Sequence, residues 1–128
     1  MGLRDSVHVM IVDDMSTSRG LITQAMDELG IKNYQTETDG KGALQKLAAR
    51  PVHLVISDYN MPGMDGLQLL QALRANRSTQ RIGFILITGR ADGDLLARGQ
   101  QLGMNNYLPK PFSTAQMKSC IEQVIGRL

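Results

Sequence analysis

Tryptophan is absent from this chain, cysteine occurs once, and aromatic residues make up only 4% of its 128 positions. One cysteine excludes an internal disulfide and makes a reducing cytoplasm the expected location. Long hydrophobic runs are missing as well. None approaches the ~18 residues of a membrane span, and the start, Met1-Gly2-Leu3-Arg4-Asp5-Ser6, lacks the apolar region of a secretion signal. No membrane partner is therefore expected. Nor is there a large excess of charge of one sign. The net charge is +2, and the arginines (Arg4, Arg19, Arg50, Arg74, Arg77, Arg81, Arg90, Arg98, Arg127) are scattered. No like-charged block or aromatic platform accompanies them, which argues against nucleic acid as a partner. Repeats, low-complexity segments and linkers are also missing, so residues 1–128 are expected to form one domain.

What is present is an ordinary globular composition, 42% hydrophobic and 20% charged, on a chain long enough to bury a core without staples. The run Val9-Met10-Ile11-Val12 ends abruptly in Asp13-Asp14, and Val52-His53-Leu54-Val55-Ile56-Ser57 ends in Asp58. Continuous apolar runs of this length read as buried strands of a parallel sheet. Ligands of open α/β sheets bind beyond the carboxyl ends of the strands. Two such ends would bring three carboxylates to one spot, where they cannot all stay ionised without a cation. A hard, oxygen-preferring divalent ion, Mg2+, resolves that repulsion.

Apolar runs alternate with helical patterns along the chain, which is the signature of βαβ units. Strands are expected near residues 7–12, 33–38, 53–58, 83–88 and 105–108. The first helix carries Leu21, Ile22, Ala25, Met26 and Leu29 on one face and stops at Gly30. The second follows Asp39 and buries Ala43, Leu44, Leu47 and Ala48. Asp65 is a natural N-cap for the third, whose stripe is Leu67, Leu70 and Leu73. In the last helix Ser113-Thr114-Ala115-Gln116 forms a capping box. The stripe Met117, Cys120, Ile121, Val124, Ile125 and Leu128 follows it and makes Cys120 a small core residue. The fourth helix, around Leu95 and Leu96 among Gly89, Gly93, Gly99 and Gly103, is expected to be marginal and mobile. His8 and His53 read as packing residues within strands.

The strand ends supply the chemistry: Asp13 and Asp14, then Asp58, then Thr88, then Lys110 after Asn106-Tyr107-Leu108-Pro109. Each has a plainer reading alone. Acids after a strand cap the next helix, threonine is a turn residue, and lysine is solvated. Those readings weaken when every candidate lands at one edge of one sheet. Acids, a hydroxyl and an ammonium together suit the handling of a phosphoryl group, with a carboxylate as nucleophile. The needs of such a transfer are positioning and charge neutralisation.

The chain resembles the response-regulator receiver domains, most closely their stand-alone chemotaxis members. The resemblance rests on Asp13-Asp14 with Ser16-Thr17-Ser18-Arg19, on Asp39-Gly40, and on Ser57-Asp58-Tyr59-Asn60-Met61-Pro62-Gly63-Met64-Asp65-Gly66. Thr88 and Tyr107-Leu108-Pro109-Lys110-Pro111-Phe112 complete it. It implies an α/β flavodoxin-like, doubly wound sandwich, with five parallel strands in order 2-1-3-4-5 and five helices. It implies that Asp58 accepts a phosphoryl group from a phosphohistidine of a sensor histidine kinase. Mg2+ would be held by Asp14, Asp58 and the backbone carbonyl of Asn60, with Asp13 acting mostly through water. Thr88 and Lys110 would contact phosphoryl oxygens, Tyr107 would turn inward as Thr88 shifts, and the Lys110-Pro111 bond would be cis.

Three positions depart from the family's chemotaxis pattern. Gly89 stands where alanine is common, which is expected to open the phosphoryl group to water and shorten its lifetime. Arg90 stands where an acid or neutral residue is usual, and should change reactivity with anionic donors. Tyr59 replaces a frequent tryptophan. The expected function is a two-state switch whose active surface is the fourth helix, the fifth strand and the fifth helix. With no output domain after the last helix, the expected partner is the flagellar motor switch protein. The alternative is a phosphorelay intermediate or phosphate sink exchanging with a histidine phosphotransfer protein. A phosphatase is a further expected partner, and the protein is expected to be a monomer. Turnover of an external substrate is not expected. A haloacid-dehalogenase-type hydrolase needs an acid where Asn60 stands, and a flavodoxin needs a hydroxyl-rich phosphate loop where Asp13-Asp14 stands.

Overall fold

The computed structural model describes residues 2–89 and 92–128. In chain order it contains β1 (Val9–Val12), α1 (Ser16–Leu29), β2 (Tyr34–Glu37), α2 (Gly40–Ala49) and β3 (Leu54–Asp58). These are followed by α3 (Gly66–Ala75), β4 (Gly83–Thr88), α4 (Gly93–Gln101), β5 (Asn106–Pro109) and α5 (Thr114–Ile125). A short 3-10 turn, Leu3–Asp5, precedes β1 and has no counterpart in the apolar pattern. All five strands are parallel and lie in the order β2-β1-β3-β4-β5, as expected.

Alternation along the central strands splits the core in two. Val9 and Ile11 of β1, Leu54 and Ile56 of β3, and Ile85 and Ile87 of β4 pack with Ile22 and Met26 of α1 and Met117 and Ile121 of α5. Met10, Val12, Val55, Phe84 and Leu86 face the other way, against Leu47 of α2, Leu70 of α3 and Leu95 of α4. Helices therefore cover both faces, and β1 and β3 are buried along their whole length. That explains why those strands carry no polar residue until their carboxyl ends.

The caps follow the sequence. Gly30 takes a left-handed conformation (φ 78°) at the end of α1. Asp39 and Asp92 cap α2 and α4, and Asp65 with Gln68 and Ser113 with Gln116 form capping boxes on α3 and α5. Three expectations need correction. Leu21 points away from the core and is 56% exposed, Ala48 is exposed, and the histidines are surface residues just ahead of β1 and β3 rather than packing ones. The backbone N–H of His8 donates to His53 Nδ1 (2.9 Å), and this exposed bond, rather than burial, places the imidazole.

The glycine-rich fourth helix does form, but among its described residues it buries only Leu95 and Gly99. A Cβ at Gly99 would lie 2.8 Å from Met104 Sδ, so the flexible Met104 side chain would have to shift to admit it. With so little burial, the α4 amides are expected to exchange at the lowest opening free energy of the five helices in native-state hydrogen exchange. Protection equal to that of α3 would contradict this reading.

Cys120 is buried as expected, and burial pushes its thiol up to about 11. The folded protein then holds a proton that the unfolded chain gives up near pH ~8.5. The associated stability is complete below that pH and is lost as pH rises toward 11. Cys120→Ala should therefore flatten the alkaline limb of the stability profile, and native Cys120 should resist a thiol reagent at about pH 8.

Candidate functional site

The two-residue period that carries Val9 and Ile11 to one face continues to Asp13, and the period of Leu54 and Ile56 continues to Asp58. Because Val9 pairs with Leu54 and Ile11 with Ile56, the two acids leave adjacent strands side by side. Asp14 follows at the surface. One oxygen from each of Asp13, Asp14 and Asp58 lies within 4.8 Å of the others. Lys110, two residues beyond buried Leu108, reaches back to place Nζ 3.1 Å from Asp58 Oδ1. The backbone helps: Lys110 N–H donates to Thr88 O (2.9 Å), just ahead of a cis Lys110-Pro111 bond. Thr88, the last residue of β4, is buried beside the acids' strand. Asp58, Tyr59, Asn60 and Thr88 line a cleft of about 500 Å³ that opens toward Asp92 and Arg98 of the α4 region.

The electrostatics are unfavourable without a cation. Burial raises the Asp58 carboxyl above the usual carboxylate range. The Lys110 ammonium opposes this, while the carboxylates of Asp13 and Asp14 add to it. Asp13 is fully buried, and its Oδ2 has no hydrogen-bond partner among the described residues. A buried, unpaired carboxylate oxygen clustered with two further carboxylates is what a hard divalent cation would satisfy. The donor set therefore fits Mg2+.

The β3–α3 connection that carries Tyr59 and Asn60 is tightly folded. Gly66 N–H donates to Tyr59 O (2.9 Å), and a Cβ on Gly66 would lie 2.6 Å from Asp58 O. Tyr107 sits on β5 opposite Leu86, two residues short of Thr88, and is 37% exposed in this conformation. Gly89 is open, with nothing within 4 Å of where a Cβ would stand, and Arg90 lies outside the described residues.

Two features of the site escape a reading of the sequence. Arg19 Nη1 donates to Asp13 O (2.9 Å), which only the turn of α1 reveals. A groove of about 620 Å³ runs beside the site between α1 and the segment after β5, lined by Leu21, Ala25, Glu28, Lys110, Phe112 and Thr114. Leu21 turns outward into this groove instead of packing on the sheet.

With the acid cluster at the carboxyl edge of a 2-1-3-4-5 sheet, the chain belongs to the response regulator receiver domain family, whose pattern matches residues 9–122. Among curated relatives it is 44% identical over 128 residues to a probable chemotaxis protein CheY of Rhizobium etli, covering 100% of this chain and 99% of that one. It is 34% identical over 126 residues to chemotaxis protein CheY-3 of Vibrio cholerae, covering 98% and 97%. Among solved structures it resembles the Vibrio cholerae chemotaxis protein CheY4 (TM-score 0.86, 25% identity, 92% of this chain and 98% of that one). No helix of the described residues is long and apolar enough to cross a membrane.

Proposed function

We propose that this protein is a phosphorylation-driven switch: Asp58 accepts a phosphoryl group from a phosphohistidine of a sensor histidine kinase, and the α4–β5–α5 surface then binds the flagellar motor switch. The observation that carries the reading is a buried carboxylate 3.1 Å from an ammonium, at the base of a cleft whose mouth is open. An Asp58 oxygen attacks phosphorus, the P–N bond breaks, and the imidazole leaves with the bonding pair. Lys110 holds Asp58 in line and is placed to pair with a phosphoryl oxygen. Thr88 offers its hydroxyl to another. Asp13, Asp14, Asp58 and the Asn60 carbonyl would hold Mg2+, which when bound neutralises charge on the carboxylates and the incoming phosphoryl group. The apolar groove at Leu21 and Phe112 gives a helical phosphohistidine carrier a place to dock beside Lys110.

Output follows from the strand register. Tyr107 and Thr88 stand on neighbouring strands, on the side of the sheet that faces α4. A shift of Thr88 toward the phosphoryl group opens the space into which Tyr107 turns, and thinly packed α4 follows at small cost. The protein acts stoichiometrically, as a phosphoacceptor rather than an enzyme with an external substrate, and works as a cytoplasmic monomer. Full-length likeness to chemotaxis proteins favours the motor switch over a phosphorelay or sink.

The test is a titration with the N-terminal peptide of a flagellar switch protein, in Mg2+ with and without beryllofluoride. Tightening of ~5–150-fold is expected. Bound beryllofluoride without tightening would assign the protein to exchange with a histidine phosphotransfer protein instead.

A further inference from the structure

We propose that Arg19 is a positioning residue for the divalent cation, holding Asp13 so that a single one of its oxygens can turn to the metal. The proposal rests on the reading of the acid cluster as a Mg2+ site. Asp13 has four polar atoms, and three are engaged. Its N–H donates to Glu37 O (3.0 Å), its Oδ1 accepts from Met15 N–H (3.0 Å), and its carbonyl accepts from Arg19 Nη1 (2.9 Å). The fourth, Oδ2, is the buried atom without a partner among the described residues. Peptide and side chain are thus fixed from β2, from the start of α1 and from its second turn, and the remaining lone pairs have one direction to face.

Arg19 is the anchor on which the α1 side of this arrangement depends. The N-cap of α1 is Met15, which provides no side-chain cap. Helix and metal loop are joined instead by the Asp13–Met15 bond and by the reach of Arg19 back across the first turn. Arg19 is half-buried, so its hydrogen bond is stronger than one in open water. Groups that orient metal ligands in this way typically matter ~10–100-fold for metal affinity.

Simple Coulomb reasoning gives the opposite sign. A cation beside a cation site repels the incoming ion, so its removal should tighten Mg2+ binding. The two accounts are therefore separated by direction as well as size. The experiment is Mg2+ titration of the full chain, read by calorimetry and by the Mg2+-induced rise in melting temperature, for wild type, Arg19→Met and Arg19→Lys. Arg19→Met is expected to weaken Mg2+ ~10-fold while the melting temperature in EDTA changes little, and Arg19→Lys, which keeps a donor, is expected to recover part of the affinity. Unchanged or tighter binding in Arg19→Met would overturn the proposal, as would equal loss in both variants. Should Arg19→Met fail to fold, Arg19→Lys against wild type still decides, since positioning through a shorter single donor predicts a measurable weakening. Failure of wild type itself to bind Mg2+ would instead overturn the reading of the acid cluster.

Discussion

Asn in place of Asp13 is expected to make the metal-free protein more stable, by ~1–3 kcal/mol, while removing most of its response to Mg2+. Asparagine keeps the Oδ1 that accepts from Met15 N–H and substitutes an NH2 for the unpartnered, buried Oδ2. That group can donate to Asp14 or Asp58, so a repulsive contact becomes a hydrogen bond. The same change relieves part of the upward pressure on Asp58, to which the Asp13 charge contributes. The sign with pH follows. Because the Asp58 carboxyl is raised in the folded state, the metal-free native protein binds more protons than the unfolded chain in the window just above the ordinary carboxylate range. Its stability there increases as pH falls. Asp13→Asn should shrink that acid-side gain, and urea unfolding in EDTA from about pH 4 to about pH 7 measures both effects. Loss of stability in EDTA would show that Asp13 is held by a favourable partner and would remove the argument for a cation at this position.

Gly66→Ala is expected to cost at least ~1–3 kcal/mol and to weaken Mg2+ binding in step. The added methyl would meet Asp58 O at 2.6 Å and Leu86 Cδ1 at 2.7 Å. The leucine can rotate away, but the carbonyl belongs to the last residue of a buried strand. The start of α3 must therefore withdraw, breaking the Gly66–Tyr59 bond and pulling Tyr59-Asn60 from the cleft. Gly20→Ala is the internal control. It lies within α1 with nothing within 4 Å, so there the same substitution should stabilise by up to ~1 kcal/mol. Equal effects at the two positions in urea unfolding would refute the close-approach argument.

The fold was legible because its strands are too apolar to be anything but buried and are separated by capped amphipathic helices. The acids were legible because each ends such a run. Leu21 departs from its expected burial because the helical stripe of α1 is wider than what the sheet covers, and the edge of the stripe forms a groove instead. Ala48 likewise lies at the edge of the α2 stripe, one residue past fully buried Leu47, and is exposed. His8 and His53 lie outside the strands because apolar runs do not mark where a strand begins, and each falls one residue ahead of its strand. Arg19 was invisible as a partner of Asp13 because a side chain bonded to a backbone carbonyl leaves no pattern in residue types.

The central claim is that Asp58 is the phosphoryl acceptor of a cation-dependent switch. Its most direct test is intact mass measurement after incubation with a small phosphoramidate, with Mg2+ or with EDTA, followed by fragment mapping. Mass gain of one phosphoryl group, located on Asp58, dependent on Mg2+ and absent from Asp58→Asn, is the predicted result. Phosphate on another residue, or none while Mg2+ is bound, would contradict the account.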